Sequence, residues 1–264
     1  MTPDKPQMEK PVNLFWTGGW DSSFRLLQLV LEQEVPVQTY YLIDPKRQSL
    51  RFEIKAMQDI KQVLYKRYPE VKKLILPTIY TEISDIPPDD EINQAYRKFT
   101  INDHLDAQYI WLATFCKQHG IHNMEVCTQI KIDPIAHPPR YFLEKVGNGS
   151  EYRLKDELRD GVEGVLFQNF RYPKYGITKL ESKKIADASG WTDIMSLTWF
   201  CHSPVRGRYP CGTCLPCSVV IKEGLGWRIP WHRRVYAKLG LENVRNWCAK
   251  TIRKIYPKFH QWQG

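Results

Sequence analysis

The stretch Val12–Ser23, which reads VNLFWTGGWDSS, decides the fold. Its first five residues, Val12–Trp16, form an apolar run short enough to be a buried strand. Two adjacent glycines, Gly18 and Gly19, follow and let the backbone turn tightly with no Cβ in the way. Apolar residues then recur at helical spacing from Asp21 to Leu31. The sequence therefore predicts a strand, a tight turn and a helix in succession.

Strands and helices alternate along the rest of the chain. Strands are predicted at Val35–Ile43, Lys72–Ile79, His122–Thr128 and Val162–Phe170, and helices at Phe52–Tyr68, Ala95–His119 and Lys179–Ser189. Residues 80–95 are predicted to form a loop, and residues 129–161, which have no steady period, an excursion over the site. This alternation predicts an α/β fold with a mostly parallel sheet and helices on both faces. Ligands bind such sheets at the carboxyl ends of the strands, so the first strand-to-helix turn is the first candidate site.

Composition and charge narrow the class of protein. The chain has 264 residues, of which 42% are hydrophobic and 25% are charged, and no apolar stretch approaches the roughly 18 residues that span a bilayer. The polar N-terminus lacks the features of a secretory signal, so we expect a cytoplasmic protein with no membrane partner. The net charge is +9, and Lys222–Gly264 contains ten Lys or Arg and only two Glu. Almost all of the excess positive charge therefore lies in the last 43 residues.

The turn after the first strand has the chemistry of an anion site. The hydroxyl groups of Thr17, Ser22 and Ser23 surround the glycine pair, and the following helix directs its amide groups and positive dipole end to the same point. The turn has no Walker GxxxxGK[ST] pattern and no dinucleotide GxGxxG pattern. An ordinary βα turn, with Asp21 or Ser22 capping the helix, remains the alternative.

Four of the seven cysteines are clustered near residue 210. They are Cys201, Cys211, Cys214 and Cys217, and their short spacings suit the thiolate tetrahedron that zinc prefers. Four protein ligands leave no open position, so the predicted zinc ion is structural. A redox CxxC pair would leave Cys201 unexplained, whereas an iron–sulfur cluster could use the same four thiols.

These motifs together resemble a known family. The turn Thr17–Ser22 resembles the SGGxDS signature of the PP-loop ATP pyrophosphatases, with Thr17 in place of the first serine. With Thr178-Lys179 at a helix start, Thr198–Cys201 before the first zinc ligand and the cysteine array, residues 12–220 look like 7-cyano-7-deazaguanine synthase. The resemblance implies a Rossmann-like fold of the adenine nucleotide alpha hydrolase-like type.

The resemblance also implies a reaction and its residues. ATP, with Mg²⁺, adenylates the carboxylate of a 7-carboxy-7-deazaguanine-like substrate, and ammonia then gives an amide and finally a nitrile. In this chain the pyrophosphate would be held by residues of the turn, namely Thr17, Gly18, Gly19, Asp21, Ser22 and Ser23. The catalytic residues would be Lys179, which faces the phosphates, and Asp21.

The segment that frames the base departs from the family pattern. The usual G-x-N-x-x-D and Y-P-D-C-R are absent, and Asp133 and Arg140 are the partial substitutes, with Arg206 as a further substrate candidate. The acceptor is therefore open: the same activation could conjugate a deazapurine to a protein amine in antiphage defence. Modification of tRNA, for which Cys127 would be the candidate thiol, and an inactive ATP-binding scaffold are further alternatives.

The sequence divides into three regions. Residues 1–200 are predicted to be the nucleotide-binding domain, 201–220 the zinc segment and 221–264 a basic helical extension. Within the extension, apolar residues from Leu241 to Ile255 recur at helical spacing between basic ones. That face is expected to pack on the main domain or in a homodimer. Docking to an acidic protein partner and binding of nucleic acid are less favoured alternatives.

Overall fold

The computed structural model describes residues 10–128 and 138–240. The chain divides into two compact units, Met1–Trp199 (unit 1) and Phe200–Gly264 (unit 2). This division lies one residue from the boundary predicted at residue 200. The residues predicted as a zinc segment and as an extension fall together in unit 2. The basic helix predicted at 241–255 lies outside the described residues.

Unit 1 contains a seven-stranded sheet of order β3-β2-β1-β4-β7-β6-β5. The strands are β1 (Val12–Phe15), β2 (Val37–Ile43), β3 (Ile79–Glu82), β4 (Met124–Glu125), β5 (Leu143–Lys145), β6 (Tyr152–Leu154) and β7 (Phe170–Tyr172). The first five positions in this order pair in parallel, and β6 and β5 continue the sheet as antiparallel strands. The predicted α/β class with a mostly parallel sheet is confirmed. The strand order reverses at β1 and β4, where a crevice for a ligand is expected.

Helices cover both faces of the sheet. Those of unit 1 are α1 (Trp20–Leu27), α2 (Leu50–Arg67), α3 (Asp90–Phe99), α4 (Gln108–Gln118), α5 (Val162–Phe167), α6 (Lys179–Ala188) and α7 (Thr192–Ser196). Successive strand residues point to opposite faces. Phe15 of β1 therefore contacts Phe115 of α4 at a ring distance of 6.1 Å. On the other face, Tyr41 of β2 donates a hydrogen bond to Glu53 of α2.

Three predicted elements between residues 72 and 119 were wrong in part. Pro69–Lys73 form a 3-10 helix, and the third strand begins only at Ile79, because Pro77 cannot donate a ladder hydrogen bond. The loop predicted at 80–95 contains the start of α3, which Asp89 caps through the Ile92 amide. The single helix predicted at Ala95–His119 is broken between α3 and α4, where Thr100 bonds back to the Tyr96 carbonyl.

The strand predicted at Val162–Phe170 was also wrong. Residues Val162–Phe167 form α5, and the strand that follows is β7. A short apolar run has no period that separates a buried helix from a buried strand. Gly164 fits this helix because a Cβ there would lie 1.8 Å from the Arg159 carbonyl oxygen. The hairpin of β5 and β6 lies in the segment that was predicted as an excursion.

Unit 2 contains two helices in its described part, α8 (Leu215–Lys222) and α9 (Trp231–Lys238). A tight turn that joins Val205 to Tyr209 precedes α8. No helix in residues 10–128 and 138–240 combines the length and apolar character that a membrane crossing requires.

Candidate functional site

The glycine turn lies at the carboxyl end of β1 and leads directly into α1. Gly18 has a φ of +67°, and a Cβ at this position would lie 2.8 Å from the Glu53 carbonyl oxygen of α2. Only glycine satisfies both conditions without strain. Gly19 is the N-cap residue of α1 and supplies no side-chain cap. The first turn of α1 therefore directs its amide groups toward the crevice without a capping side chain from that residue.

The three hydroxyl groups of the turn have different surroundings. The Thr17 side chain is exposed, and the Thr17 amide donates to Ser22 Oγ over 3.5 Å. Ser23 is fully buried, and its Oγ accepts a 3.0 Å hydrogen bond from Trp16 Nε1. Ser23 therefore fixes the indole ring of Trp16, Ser22 is buried at 7% exposure, and Thr17 is the exposed hydroxyl of the three.

Asp21 of α1 contacts two lysines that lie between β7 and the first turn of α6. Its Oδ1 lies 3.2 Å from Lys174 Nζ, and its Oδ2 lies 3.4 Å from Lys179 Nζ. Burial of the carboxylate raises its pKa, but Lys179 and Lys174 outweigh that effect, and the net pKa of Asp21 is lowered. The group is therefore a carboxylate flanked by two ammonium groups at neutral pH. We call Asp21, Lys174 and Lys179 the lysine–aspartate cluster.

Lys174 is the residue of the candidate site that the sequence analysis missed. Its side chain is 0% exposed, and its ammonium group also lies 4.5 Å from the ring centre of Phe24. A fully buried lysine is rare and needs such partners. It follows the carboxyl end of β7 by two residues, and the signal was the run Phe170-Arg171-Tyr172-Pro173-Lys174. Because the predicted strand ended at Phe170, the sequence analysis did not place Lys174 at the end of a strand.

Lys179 is held by a well-formed helix start. Thr178 and Glu181 form a reciprocal capping box, so Lys179 is the first residue of α6, as predicted. Trp20 Nε1 of α1 donates to Ser182 Oγ of α6 over 3.0 Å. This bond joins the two helices whose first turns carry Asp21 and Lys179, and thereby fixes the distance between them.

A buried ion pair ties α1 to β4 beside the cluster. Arg25 donates two hydrogen bonds of 2.8 and 2.7 Å to Glu125. Burial raises the pKa of Glu125, and the guanidinium opposes that rise. Cys127 follows β4, and burial and Glu125 raise the pKa of its thiol, so it is not a thiolate at neutral pH. The raised pKa disfavours a thiolate at Cys127, and the tRNA-modification alternative stays a prediction.

An aromatic stack borders the turn on the side of α2. The rings of Phe52 and Trp199 lie 4.4 Å apart and 16° from parallel. The Trp199 amide donates a 2.9 Å hydrogen bond to the Gly18 carbonyl, and Arg51 lies 4.8 Å from the Phe52 ring centre. The stack positions Trp199, whose amide in turn holds the Gly18 carbonyl of the turn.

In unit 2 the four predicted cysteines come together. The sulfur atoms of Cys201, Cys211, Cys214 and Cys217 all lie within 4.8 Å of one another, and two of their separations are 3.8 and 3.9 Å. A tetrahedron with zinc–sulfur bonds of about 2.3 Å has edges of about 3.8 Å. Amide groups also point at the sulfurs, as from Cys211 to Cys201 over 3.1 Å. The cluster therefore fits a metal ion such as zinc.

A fork from α9 fixes this cysteine cluster. Arg233 Nε and Nη2 donate hydrogen bonds of 2.8 and 2.6 Å to the Cys211 carbonyl. Gly212 has a φ of +83°, and a Cβ there would lie 2.7 Å from the Arg233 carbonyl oxygen. The metal segment and α9 are therefore packed backbone to backbone.

Of the three predicted substrate residues, two are described, and they lie in different units. Asp133 lies outside the described residues. Arg140 donates to the Leu143 carbonyl over 2.9 Å, and its guanidinium lies 4.3 Å from the Tyr152 ring centre, at the β5–β6 hairpin. Arg206 belongs to the turn of unit 2 and is exposed. Their substrate roles stay predictions.

Comparison with known proteins adds no assignment to this geometry. No protein-family model and no curated protein sequence matches the chain.

Proposed function

We propose that unit 1 binds ATP at the glycine turn and uses it to adenylate a carboxylate. The observation that carries this proposal is the lysine–aspartate cluster beside a capless helix start at the carboxyl edge of the sheet. A triphosphate concentrates negative charge, and the two ammonium groups and the α1 amides concentrate positive charge at one point. We therefore assign the phosphates to Thr17, Gly18, Gly19, Ser22 and Lys179, with the buried Lys174 adding charge through its pairing with Asp21, and leave Ser23 as a support of the turn.

The chemistry follows from where the positive charge lies. A carboxylate oxygen of the substrate attacks the α-phosphorus, the bond from that phosphorus to the bridging oxygen breaks, and pyrophosphate leaves with the electron pair. Lys179 stabilises the charge that develops on this leaving group, and the fully buried Lys174 contributes through its charge and its pairing with Asp21. Asp21 positions both lysines and does not itself react. Because both of its oxygens face ammonium groups, we assign Mg²⁺ to the phosphates and not to this carboxylate.

The substrate class is proposed from the motif resemblance. A 7-carboxy-7-deazaguanine-like carboxylate would give an acyl adenylate, and ammonia would displace AMP to give an amide. A second adenylation, on the amide oxygen, followed by loss of AMP and a proton, would give the nitrile. We place the fold in the Rossmann-like, adenine nucleotide alpha hydrolase-like group on the same grounds. The metal of unit 2 is proposed to be structural zinc.

The test is substrate-dependent ATP turnover with resolved products. The full chain is incubated with α-labelled ATP, Mg²⁺, ammonium and 7-carboxy-7-deazaguanine, and AMP, ADP and pyrophosphate are separated. We expect AMP and pyrophosphate only when the carboxylate is present. Lys179→Ala should lower the rate about 100-fold, as loss of one group that stabilises charge in the transition state commonly does. Lys184→Ala, an exposed lysine on the same helix, is the matched control and should keep the wild-type rate. Formation of ADP and phosphate instead would refute the proposal.

A further inference from the structure

The described part of unit 2, residues 200–240, is strongly basic. Residues 200–240 contain seven Lys or Arg and one Asp or Glu, and that acidic residue, Glu223, is buried. The accessible charge of this part of the chain is therefore almost entirely positive. Such a surface attracts polyanions over a distance of about 8 Å at physiological salt.

A tight turn presents two of these charges. Val205 and Tyr209 form an antiparallel bridge, and the residues between them include Arg206 and Gly207 with φ of +50° and +61°. Arginine rarely adopts the left-handed region, so a glycine or asparagine would suit this position better for the fold alone. The side chains of Arg206 and Arg208 are both exposed at this turn.

Aromatic rings continue from this turn onto α9. The Tyr209 and His232 ring centres lie 6.2 Å apart, and those of His232 and Trp231 lie 6.0 Å apart. Arg208 lies 5.6 Å from the centre of the Tyr209 ring. Trp231 is 70% exposed, although tryptophan is highly buried on average. Arg233 donates two hydrogen bonds to the Cys211 carbonyl, and these bonds hold α9 and its aromatic rings against the cysteine cluster.

One side of α9 adds further charge to the row. Arg234 and Lys238 follow Trp231 by three and seven residues, so they lie on the same side of the helix, and both are exposed. We name Arg206, Arg208, Tyr209, Trp231, His232, Arg234 and Lys238 the basic–aromatic face.

We propose that the basic–aromatic face binds a single-stranded segment of RNA. Arginines contact phosphates, and an exposed indole and its neighbouring rings offer flat surfaces on which unpaired bases stack. An acidic protein would use the charges but not the exposed rings, and a duplex would hide its bases from them. This inference is independent of the proposed adenylation, which concerns unit 1.

The experiment is fluorescence anisotropy of a labelled 12-nucleotide RNA without self-complementarity, titrated with the full chain at several salt concentrations. Four contacts, from Arg206, Arg208, Arg234 and Lys238, predict a slope of about −3 for log affinity against log salt. Trp231→Ala should weaken binding at least about fivefold, and Trp231→Phe should restore most of that loss. Arg206→Asn removes a charge but suits the positive φ, and should weaken binding and flatten the slope by about 0.7.

Controls separate RNA binding from adhesion of a basic surface. Lys98→Ala, an exposed lysine of α3 in unit 1, removes one charge elsewhere and should leave the affinity unchanged. Circular dichroism and metal content confirm that each variant is folded. The proposal is overturned if Trp231→Ala binds as the wild type does, if a duplex of equal length binds as tightly, or if polyglutamate competes as well as unlabelled RNA.

Discussion

Replacing Asp21 by asparagine tests the lysine–aspartate cluster without changing its shape. Within the residues that the structure describes, the variant removes the carboxylate that pairs with Lys174, whose side chain has no exposure, and leaves the ammonium group with the Phe24 ring. A buried charge that loses its partner destabilises a fold far more than the pair stabilised it. We therefore expect Asp21→Asn to lower the free energy of unfolding.

The size of the effect follows from the geometry. Unit charges 3.2 Å apart attract by about 5 kcal/mol at an effective dielectric constant of 20. Removing one partner of a buried pair costs about 3–5 kcal/mol in measured cases. Asp21 keeps some contact with solvent, so we expect about 2–4 kcal/mol. The double variant Asp21→Asn/Lys174→Met replaces the orphaned charge with an apolar side chain and should recover most of this loss.

The assay is denaturant unfolding of the full chain, with equal zinc in all samples, at several pH values. The lowered pKa of Asp21 means that its contribution is present above the ordinary pKa of 3.8 and is lost as pH falls through the folded-state value. The difference between wild type and Asp21→Asn should therefore be largest above about pH 5 and shrink below it. A loss under 1 kcal/mol at pH 7, or a double variant whose effects simply add, would refute the reasoning.

Three further predictions concern the turn, the metal cluster and the thiols. Gly18→Ala should lose about 2–3 kcal/mol of unfolding free energy. Gly120 also has a positive φ but has open space around it, so Gly120→Ala should lose only about 1 kcal/mol. Equal losses in thermal unfolding would contradict the packing of Gly18 on α2. Cys217→Ser should lower the metal content from one zinc per chain to well below it by elemental analysis, whereas Cys127→Ser should not change it. Burial raises the pKa of Cys116 to about 12 and raises that of Cys127 as well. Iodoacetamide at pH 8 should therefore leave both thiols unmodified in the native protein. Prompt labelling of either, located by mass spectrometry, would show that these thiols are accessible.

The parts of the fold that depend on local sequence could be predicted. The apolar run and glycine pair fix β1, the turn and α1 within one stretch, although the last turn of the predicted helix is a π turn at Gln28–Glu32. The start of α6 followed from Thr178-Lys179, and the spacing of the cysteines predicted that their sulfurs would meet. In each case the residues concerned are neighbours in the chain.

The rest depends on pairings between distant segments. Lys174 enters the site only because β7 pairs beside β4 and brings its carboxyl end to the crevice. No local period distinguishes α5 from a strand, so the strand was predicted too early in the chain. Lys174 was therefore not expected at the carboxyl end of a strand. The aromatic row on unit 2 likewise joins Tyr209 to Trp231, which no spacing rule connects.

Binding of a non-cleavable nucleotide tests the central claim most directly. Isothermal titration of the full chain with α,β-methylene ATP and Mg²⁺ should show one site per chain. Lys174→Met and Lys179→Ala should each weaken binding at least about tenfold, and Lys184→Ala should match the wild type. No heat of binding in the wild type, or equal affinity in all four proteins, would contradict a triphosphate site at this turn.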